Sequence, residues 1–285
     1  MEIITATGMS PEQIGQYEVL EERLTPKLER LIQAYWSGEL AEISQVYEPM
    51  GQMFSAEEDL LAAELVFVIQ CARRKAQELS GRERMLFLQA LSDVGYKVNE
   101  CLAYKKTIGT FVLNWYHGLL KKRRLSLGRL QFETVTCGND RVIGELVMRT
   151  GDTKIQCHIP SAGALMQDAC FASYRRAWEE FPELRRNGVL PIFCSSWLFY
   201  PDYDRVFPED SNVGRFRSNF TVYQVYEQPR FEDCWRVFSM DLPEDLSLLP
   251  RKTGMQRRFA DYIGQGGTFG GAAGVLLFDG ENILR

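Results

Sequence analysis

Histidine is scarce in this sequence, with only His117 and His158 among 285 residues. Zinc sites usually combine several histidines, or cysteines in closely spaced pairs, and the seven cysteines contain no CxxC pair. An odd number of cysteines also fits a disulfide framework poorly. The sequence therefore predicts no bound metal and reduced thiols, as in a cytoplasmic protein.

An excess of basic residues and a long apolar run are missing as well. The 33 basic and 38 acidic residues give a formal charge of −5, whereas proteins that bind nucleic acid through phosphate contacts need a basic face. No stretch reaches the roughly 18 uncharged apolar residues of a membrane span, and the amino terminus lacks a basic segment followed by an apolar one. We expect no nucleic-acid partner, no membrane partner and a cytoplasmic location.

Apolar residues at helical spacing are abundant in the first half. The 45% apolar and 25% charged content suits a soluble globular chain, and its length suits two domains. Periodicity predicts helices from Pro11, with Ser10 as N-cap, and from Ser55, followed by helices over 82–91 and 96–120. The basic run 121–124 then complements the end of the last helix rather than forming a nucleic-acid patch. We place an all-helical domain at 1–124.

Short strands separated by turn residues replace this pattern in the second domain, 125–285. An antiparallel meander is predicted first, and helices and strands alternate after it. The predicted strands are 130–136, 141–148, 154–159, 190–199, 220–226, 235–239 and 275–278, and the predicted helices are 167–181 and 253–264. The glycine-rich run 264–274 is interpreted as a helix end and a turn. The fold class is α+β.

Motifs of this second half resemble a known family, bacterial two-domain N-acyltransferases with a helical amino-terminal domain and a GNAT-like carboxy-terminal domain. The motifs that carry the resemblance are Leu127 to Glu133, His158-Ile159-Pro160 with Gly163, Cys194 with Ser196 and Trp197, Ser211-Asn212-Val213, Leu249-Pro250, Gln256-Arg257 and the glycines 266, 267, 271 and 274. The resemblance covers most of 125–285 and implies a GNAT-like mixed β-sheet with flanking helices.

The family implies transfer of an acyl group from acetyl-CoA or another acyl-CoA to an amine of a small molecule or peptide, without a metal. The alternative is a catalytically silent GNAT-like protein that binds a ligand or another protein, because fold alone does not establish chemistry. A third possibility is a helical domain that mediates assembly through an exposed apolar face.

The turn before the helix at Gln167 is the site that the family uses for coenzyme A. There, backbone amides of Ser161, Ala162, Gly163, Ala164 and Leu165 would hold the pyrophosphate. No basic residue precedes the glycine, and Asp168 opens the helix, so an ordinary helix-capping turn is the other interpretation. Arg215 is a candidate for a phosphate of coenzyme A, as is the neighbouring Arg217.

His158 ends the strand that enters this turn, where such enzymes often keep the general base. Ser196, or its neighbour Ser195, would hydrogen-bond the thioester carbonyl. The other interpretations are a packed histidine and serines bonded to the backbone. A rival mechanism uses Cys194 as nucleophile with His158 as base. The element order also predicts that the strands of His158 and Ser196 are parallel neighbours joined by helix 167–181.

Overall fold

The chain forms two compact units, Met1–Ser126 and Leu127–Arg285. They are seen in a computed structural model that describes residues 2–121 and 123–284.

The first unit is helical. Its elements are α1 (Glu2–Ala6), α2 (Pro11–Ser37), α3 (Tyr47–Met53), α4 (Glu57–Glu78), α5 (Gly81–Ala90), α6 (Ser92–Lys105), α7 (His117–Leu120) and the short strand β1 (Arg124–Ser126). Ser10 caps α2 as predicted: its hydroxyl accepts the amide of Gln13, and the Gln13 side chain accepts the amide of Ser10. Buried aromatic residues from α2 and α4 fill the core, as where the rings of Tyr35 and Phe67 lie 5.5 Å apart.

The predicted helix over 96–120 is wrong in its second half. The helix ends at Lys105, because Lys106 adopts a left-handed conformation with φ of 62°. The chain then passes close to the backbone of Leu61, and a Cβ at Gly109 would lie 2.6 Å from the Leu61 carbonyl oxygen. Two short turns, 113–116 and α7, complete the segment.

Two cations of the basic run 121–124, Lys121 and Arg124, pack against aromatic rings. The Lys121 amine lies 4.4 Å from the Trp36 ring centre. Arg124 is buried, 4.0 Å above the Trp115 ring, and donates to the Trp115 carbonyl at 2.6 Å. Lys122 lies outside the described residues.

The second unit is built on a mixed sheet. Its strands are β2 (Gln131–Thr136), β3 (Arg141–Ile143), β4 (Leu146–Met148), β5 (Thr153–His158), β6 (Leu190–Ser196), β7 (Thr221–Gln228), β8 (Phe269–Phe278) and β9 (Ile283–Leu284), and its helices are α8 (Gln167–Glu180), α9 (Asn212–Ser218), α10 (Cys234–Phe238) and α11 (Gly254–Gly264). Within this unit the main sheet runs β2-β5-β6-β8-β7, with β9 beside β8.

The central β5–α8–β6 crossover confirms the predicted parallel pair. Ile155 lies opposite Ile192 and Cys157 opposite Cys194 in the parallel register. The α+β class with a GNAT-like sheet is therefore confirmed.

Two predicted strands are wrong. The segment 141–148 folds back at Gly144, whose φ is 58°, into the separate hairpin β3–β4. As a result β2 pairs directly with β5 instead of through a middle strand. Residues 235–239 fall mainly in helix α10, where Cys234, Val237 and Phe238 are buried on one side.

The glycine-rich run 264–274 also differs from its interpretation as a turn, since β8 already begins at Phe269. Aromatic rings of neighbouring segments occupy the space that side chains would need. A Cβ at Gly270 would lie 2.2 Å from the backbone carbonyl oxygen of Tyr226 and 2.7 Å from the ring of Tyr200. Glycine is thus required at position 270, where the backbone of β7 passes too close for a side chain.

Candidate active site

A histidine and a carboxylate lie side by side on one face of β2 and β5. Gln131 is opposite His158 and Glu133 is opposite Gln156 in the antiparallel register, so strand alternation puts all four on one face. His158 Nε2 lies 3.3 Å from Glu133 Oε2, with side chains 19% and 6% exposed. A largely buried carboxylate thus lies beside the imidazole.

Ser195 and Tyr226 add a pair of hydroxyls to the same face. Because Cys157 lies opposite Cys194, the next residues, His158 and Ser195, continue on the other face together. Ser195 Oγ and the Tyr226 hydroxyl are 2.9 Å apart. The two hydroxyls therefore lie on the same face of the sheet as His158, on the side of β6.

Ser196 does not share that face. It follows Ser195 in strand β6, pairs with Ala272, and accepts the amide of Leu198 at 3.2 Å as the cap of the short helix 197–199. Of the two candidate serines, Ser195 lies on the face of His158, and Ser196 caps the short helix. The sequence alone did not reveal this one-residue difference, because both serines follow the same apolar run.

The thiols lie on the opposite face of the sheet. Cys157, Cys194 and Cys170 are buried there together with Tyr174. Burial, followed by the contact with Cys194, raises the pKa of Cys157 well above its ordinary value. The rival mechanism with Cys194 as nucleophile and His158 as base is therefore wrong, since the sheet separates the two side chains.

The turn after β5 is held by Arg129, which lies two residues before β2. The Arg129 guanidinium donates to the carbonyls of Pro160 at 2.9 Å, Gly163 at 2.6 Å and Ala164 at 3.1 Å. In a trans peptide the N–H of the next residue points opposite to the carbonyl. The amides of Ser161, Ala164 and Leu165 consequently point away from Arg129.

Arg129 is itself held by α8. The Ser173 hydroxyl accepts the amides of Arg129 at 2.9 Å and Leu130 at 3.3 Å and donates to the carbonyl of Ala169. Gly128 adopts a φ of +91° and lies so close that a Cβ would be 3.0 Å from Ser173 Oγ. These contacts account for the motif Leu127 to Glu133: its glycine makes the turn, Arg129 organises the loop, and Glu133 reaches His158.

The loop also leaves the start of α8 without a side-chain cap. Met166 is the N-cap residue and its side chain accepts no amide. Gly163, with φ of +90° and open space around its Cα, makes the turn. Asp168 in the first helical turn is exposed. The turn and the helix start are exposed at Ser161, Gly163, Ala164, Met166 and Gln167, whereas Leu165 is buried.

Arg215 lies on α9, which runs beside α8. Asn212 Nδ2 contacts Met166 Sδ at 3.4 Å, and Asn219 contacts the Tyr174 hydroxyl at 3.4 Å. Arg215, one turn after Asn212, is exposed. Arg217 is instead structural, because it pairs with Asp204 and donates to the Leu198 carbonyl at 2.7 Å.

Strands β5 and β6 stop pairing just before the turn that follows β5. Their register ends at Cys157 and Cys194, while β6 continues to Ser196. The two strands are therefore not paired with each other beyond Cys157 and Cys194. Among residues 2–121 and 123–284, no three or more His, Cys, Asp or Glu side chains are grouped as metal ligands. Within the same ranges, none of the helices has an apolar stretch long enough to cross a membrane.

A parallel strand pair that opens at its end, joined by a helix with an amide-lined turn before it, defines the GNAT-like class of α+β folds. The family described as GNAT-like C-terminal domain matches residues 125–276. This match covers more than half of the chain, which belongs to this family.

Solved structures of acyltransferases share the fold. One, described as an acyltransferase in complex with decanoyl-CoA and teicoplanin, is 20% identical with a TM-score of 0.62, over 77% of this chain and 68% of that chain. Another, an acyltransferase in complex with CoA and 10C-teicoplanin, is 20% identical with a TM-score of 0.61, over 79% and 68%. No curated protein matches the chain.

Proposed function

We propose that this protein is an acyl-CoA-dependent N-acyltransferase, which transfers an acyl group from coenzyme A to an amine of a small molecule or peptide. The observation that carries the proposal is the loop 160–165, in which three carbonyls accept from Arg129 and the three amides that follow them point away from it. This loop directly follows the strand that bears the His158–Glu133 pair. The family and the shared fold with acyl-CoA-binding acyltransferases support it.

Coenzyme A would bind by its pyrophosphate on the amides of residues 161–165 and the uncapped start of α8, a combination that favours anions. Ser161, Ala162, Gly163, Ala164 and Leu165 therefore remain the proposed cofactor-binding residues. Arg215, exposed on α9, is the proposed partner of a further phosphate of the same molecule. The acyl-pantetheine arm would lie where β5 and β6 separate.

His158 is the proposed general base. The Glu133 carboxylate, whose Oε2 lies 3.3 Å from His158 Nε2, would stabilise the imidazole once it has taken up a proton. The amine nitrogen attacks the thioester carbonyl carbon while its proton passes to the imidazole of His158. The carbon–nitrogen bond forms, the carbon–sulfur bond breaks, and the proton returns to the departing thiolate of coenzyme A. No other reactant is needed.

A serine hydroxyl would hydrogen-bond the thioester oxygen as charge develops on it. Ser196 and Ser195 are the candidates from the sequence, and we favour Ser195, because its hydroxyl lies 2.9 Å from that of Tyr226 on the face of His158. Replacing each serine by alanine separates them. Loss of turnover without loss of folding is expected for Ser195→Ala, whereas Ser196→Ala should lower stability through the lost cap.

The decisive experiment measures coenzyme A binding and acyl transfer separately. Melting curves with and without coenzyme A test binding. Release of the free thiol from acetyl-, octanoyl- and decanoyl-CoA with a panel of amino sugars, polyamines and peptides tests transfer. His158→Gln, which keeps the size and polarity of the side chain, should bind coenzyme A normally and lose transfer. Absence of any coenzyme A effect on the unmutated protein would reject the proposal.

Coenzyme A binding without transfer to any amine would instead favour the alternative, a silent GNAT-like protein that binds a ligand or another protein. The domain boundary at 124/125 and the cytoplasmic location are further parts of the proposal. The family match begins at residue 125, and the buried free cysteines suit a reducing compartment.

A further inference from the structure

A small pocket of about 90 Å³ lies under the β3–β4 hairpin, apart from the residues proposed for coenzyme A. Two cations, Arg141 and Lys154, line it together with the backbone of Gly138 and the buried ring of Phe193. Its floor is the face of the sheet that also carries His158, because Lys154, Gln156 and His158 alternate along β5 on one side.

The two cations stand over aromatic rings. Lys154 Nζ is 4.8 Å from the Phe193 ring centre, and the Arg141 guanidinium is 5.4 Å from that of Tyr223. The two rings meet edge to face, 6.2 Å apart. The side chains of Arg141 and Lys154 thus lie over the same face of the sheet and line one pocket.

Nearby carboxylates do not neutralise these charges. Asp140, the neighbour of Arg141, is bound by Arg149 at 2.9 Å and by the Thr150 amide at 2.7 Å. Asp152, two residues before Lys154, is bound by Arg186 at 2.9 Å. Within the described part of the chain, neither Arg141 nor Lys154 forms an ion pair.

We propose that this pocket binds an anionic group, a carboxylate or a phosphate, of the amine that accepts the acyl group. The inference rests on the proposed function. Lys154 and His158 are four residues apart, about 13 Å along the strand at about 3.3 Å per residue. An acceptor with its amine at His158 and its anionic group at Lys154 would have these two groups about 13 Å apart, or less where the lysine side chain reaches toward His158. The acceptor class is therefore an extended amine that bears a carboxylate or phosphate.

The pocket itself is tested with inorganic phosphate and with acetate as probes. Each is titrated into the ¹⁵N-labelled full chain at constant ionic strength, and the amide signals of Gly138 and Lys154 are followed. We expect saturable shifts with at least one probe. Arg141→Gln and Lys154→Met should each weaken its binding at least about fivefold, because each removes a charged hydrogen-bond donor. The control Lys252→Met, at an exposed lysine elsewhere, should leave it unchanged. The absence of saturable shifts with both probes would overturn the proposal.

The assignment to the acceptor is tested by coenzyme A affinity and by acceptor preference. Lys154→Met should bind coenzyme A like the unmutated protein. It should lose the preference for the anionic member of paired amines that differ only in a carboxylate. A parallel loss of coenzyme A affinity would assign the pocket to the donor and overturn the proposal. Failure of the unmutated chain to bind coenzyme A would refute the proposed function, while the phosphate and acetate shifts would still report on the pocket.

Discussion

Replacing Arg129 tests whether the loop 160–165 is organised by hydrogen bonds to its carbonyls. Arg129→Gln removes the three bonds to Pro160, Gly163 and Ala164. A hydrogen bond from a charged donor contributes about 1.5 to 3 kcal/mol when buried. Because Arg129 is only half-buried, we discount this to about 1 kcal/mol or less for each bond. The loop should lose about 2 kcal/mol of ordering free energy.

This loss should appear in coenzyme A binding, since a loop that must be ordered by the ligand binds it more weakly. About 2 kcal/mol corresponds to a roughly thirtyfold weaker dissociation constant. Titration calorimetry measures it directly. The melting temperature of the second unit should also fall, by about 4 to 8 °C if the whole loss is felt globally.

Arg129→Lys separates organisation of the loop from simple attraction of an anion. Lysine keeps the charge but not the planar fork that reaches several carbonyls, so we expect it to bind coenzyme A nearly as weakly as Arg129→Gln. Arg175→Gln, an exposed arginine on α8, is the matched control for charge and should change affinity less than about threefold. Near-normal affinity in Arg129→Lys, or in Arg129→Gln, would refute the reasoning.

Three further changes have definite expected outcomes. Gly163→Asp places a side chain at φ of +90° and a negative charge beside the amides, so it should abolish the thermal shift that coenzyme A gives, about 2.7 kcal/mol at 100 times its dissociation constant, while Gly163→Ala should reduce it less. Burial raises the pKa of Glu64 to about 8 from 4.5, so the stability that its protonated form contributes is complete below pH 4.5 and is lost as the pH rises to about 8. Glu64→Gln should remove this dependence of the unfolding free energy on pH. Urea unfolding at pH 8 should show the variant to be the more stable protein, by on the order of 4 kcal/mol. Glu133→Gln should lower turnover and shift the pH–rate profile to lower pH without weakening coenzyme A binding, as removing a charge from an imidazole makes it less basic; an unchanged profile would exclude the orienting role.

Local signals in the sequence were enough for the crossover at the centre of the sheet. The apolar run 190–194, the helical spacing after Gln167 and the strand before His158 together predict β5, α8 and β6 in a parallel arrangement, which the register confirms. The cap of α2 was predictable for the same reason, because its residues are close in the chain.

Features that depend on distant contacts were not predictable. Arg129 donates to carbonyls that lie 31 to 35 residues further along the chain. Because no basic residue stands next to Gly163 in the sequence, nothing local indicated that a cation binds this loop. The choice between Ser195 and Ser196 required the register of three strands. The hairpin at Gly144 was not predictable, because a single glycine within an alternating segment is also compatible with a continuous strand.

The Arg129 contacts have a consequence for how the loop can change in evolution. If anion recognition depends on backbone amides whose direction is fixed by Arg129, the side chains of Ala162 and Ala164 contribute little to anion binding. Substitutions there should accumulate freely, while Arg129, Ser173 and the two glycines at 128 and 163 resist them. Relatives with the same binding loop would then be recognised better by the arginine and its helix partner than by the loop's own residues.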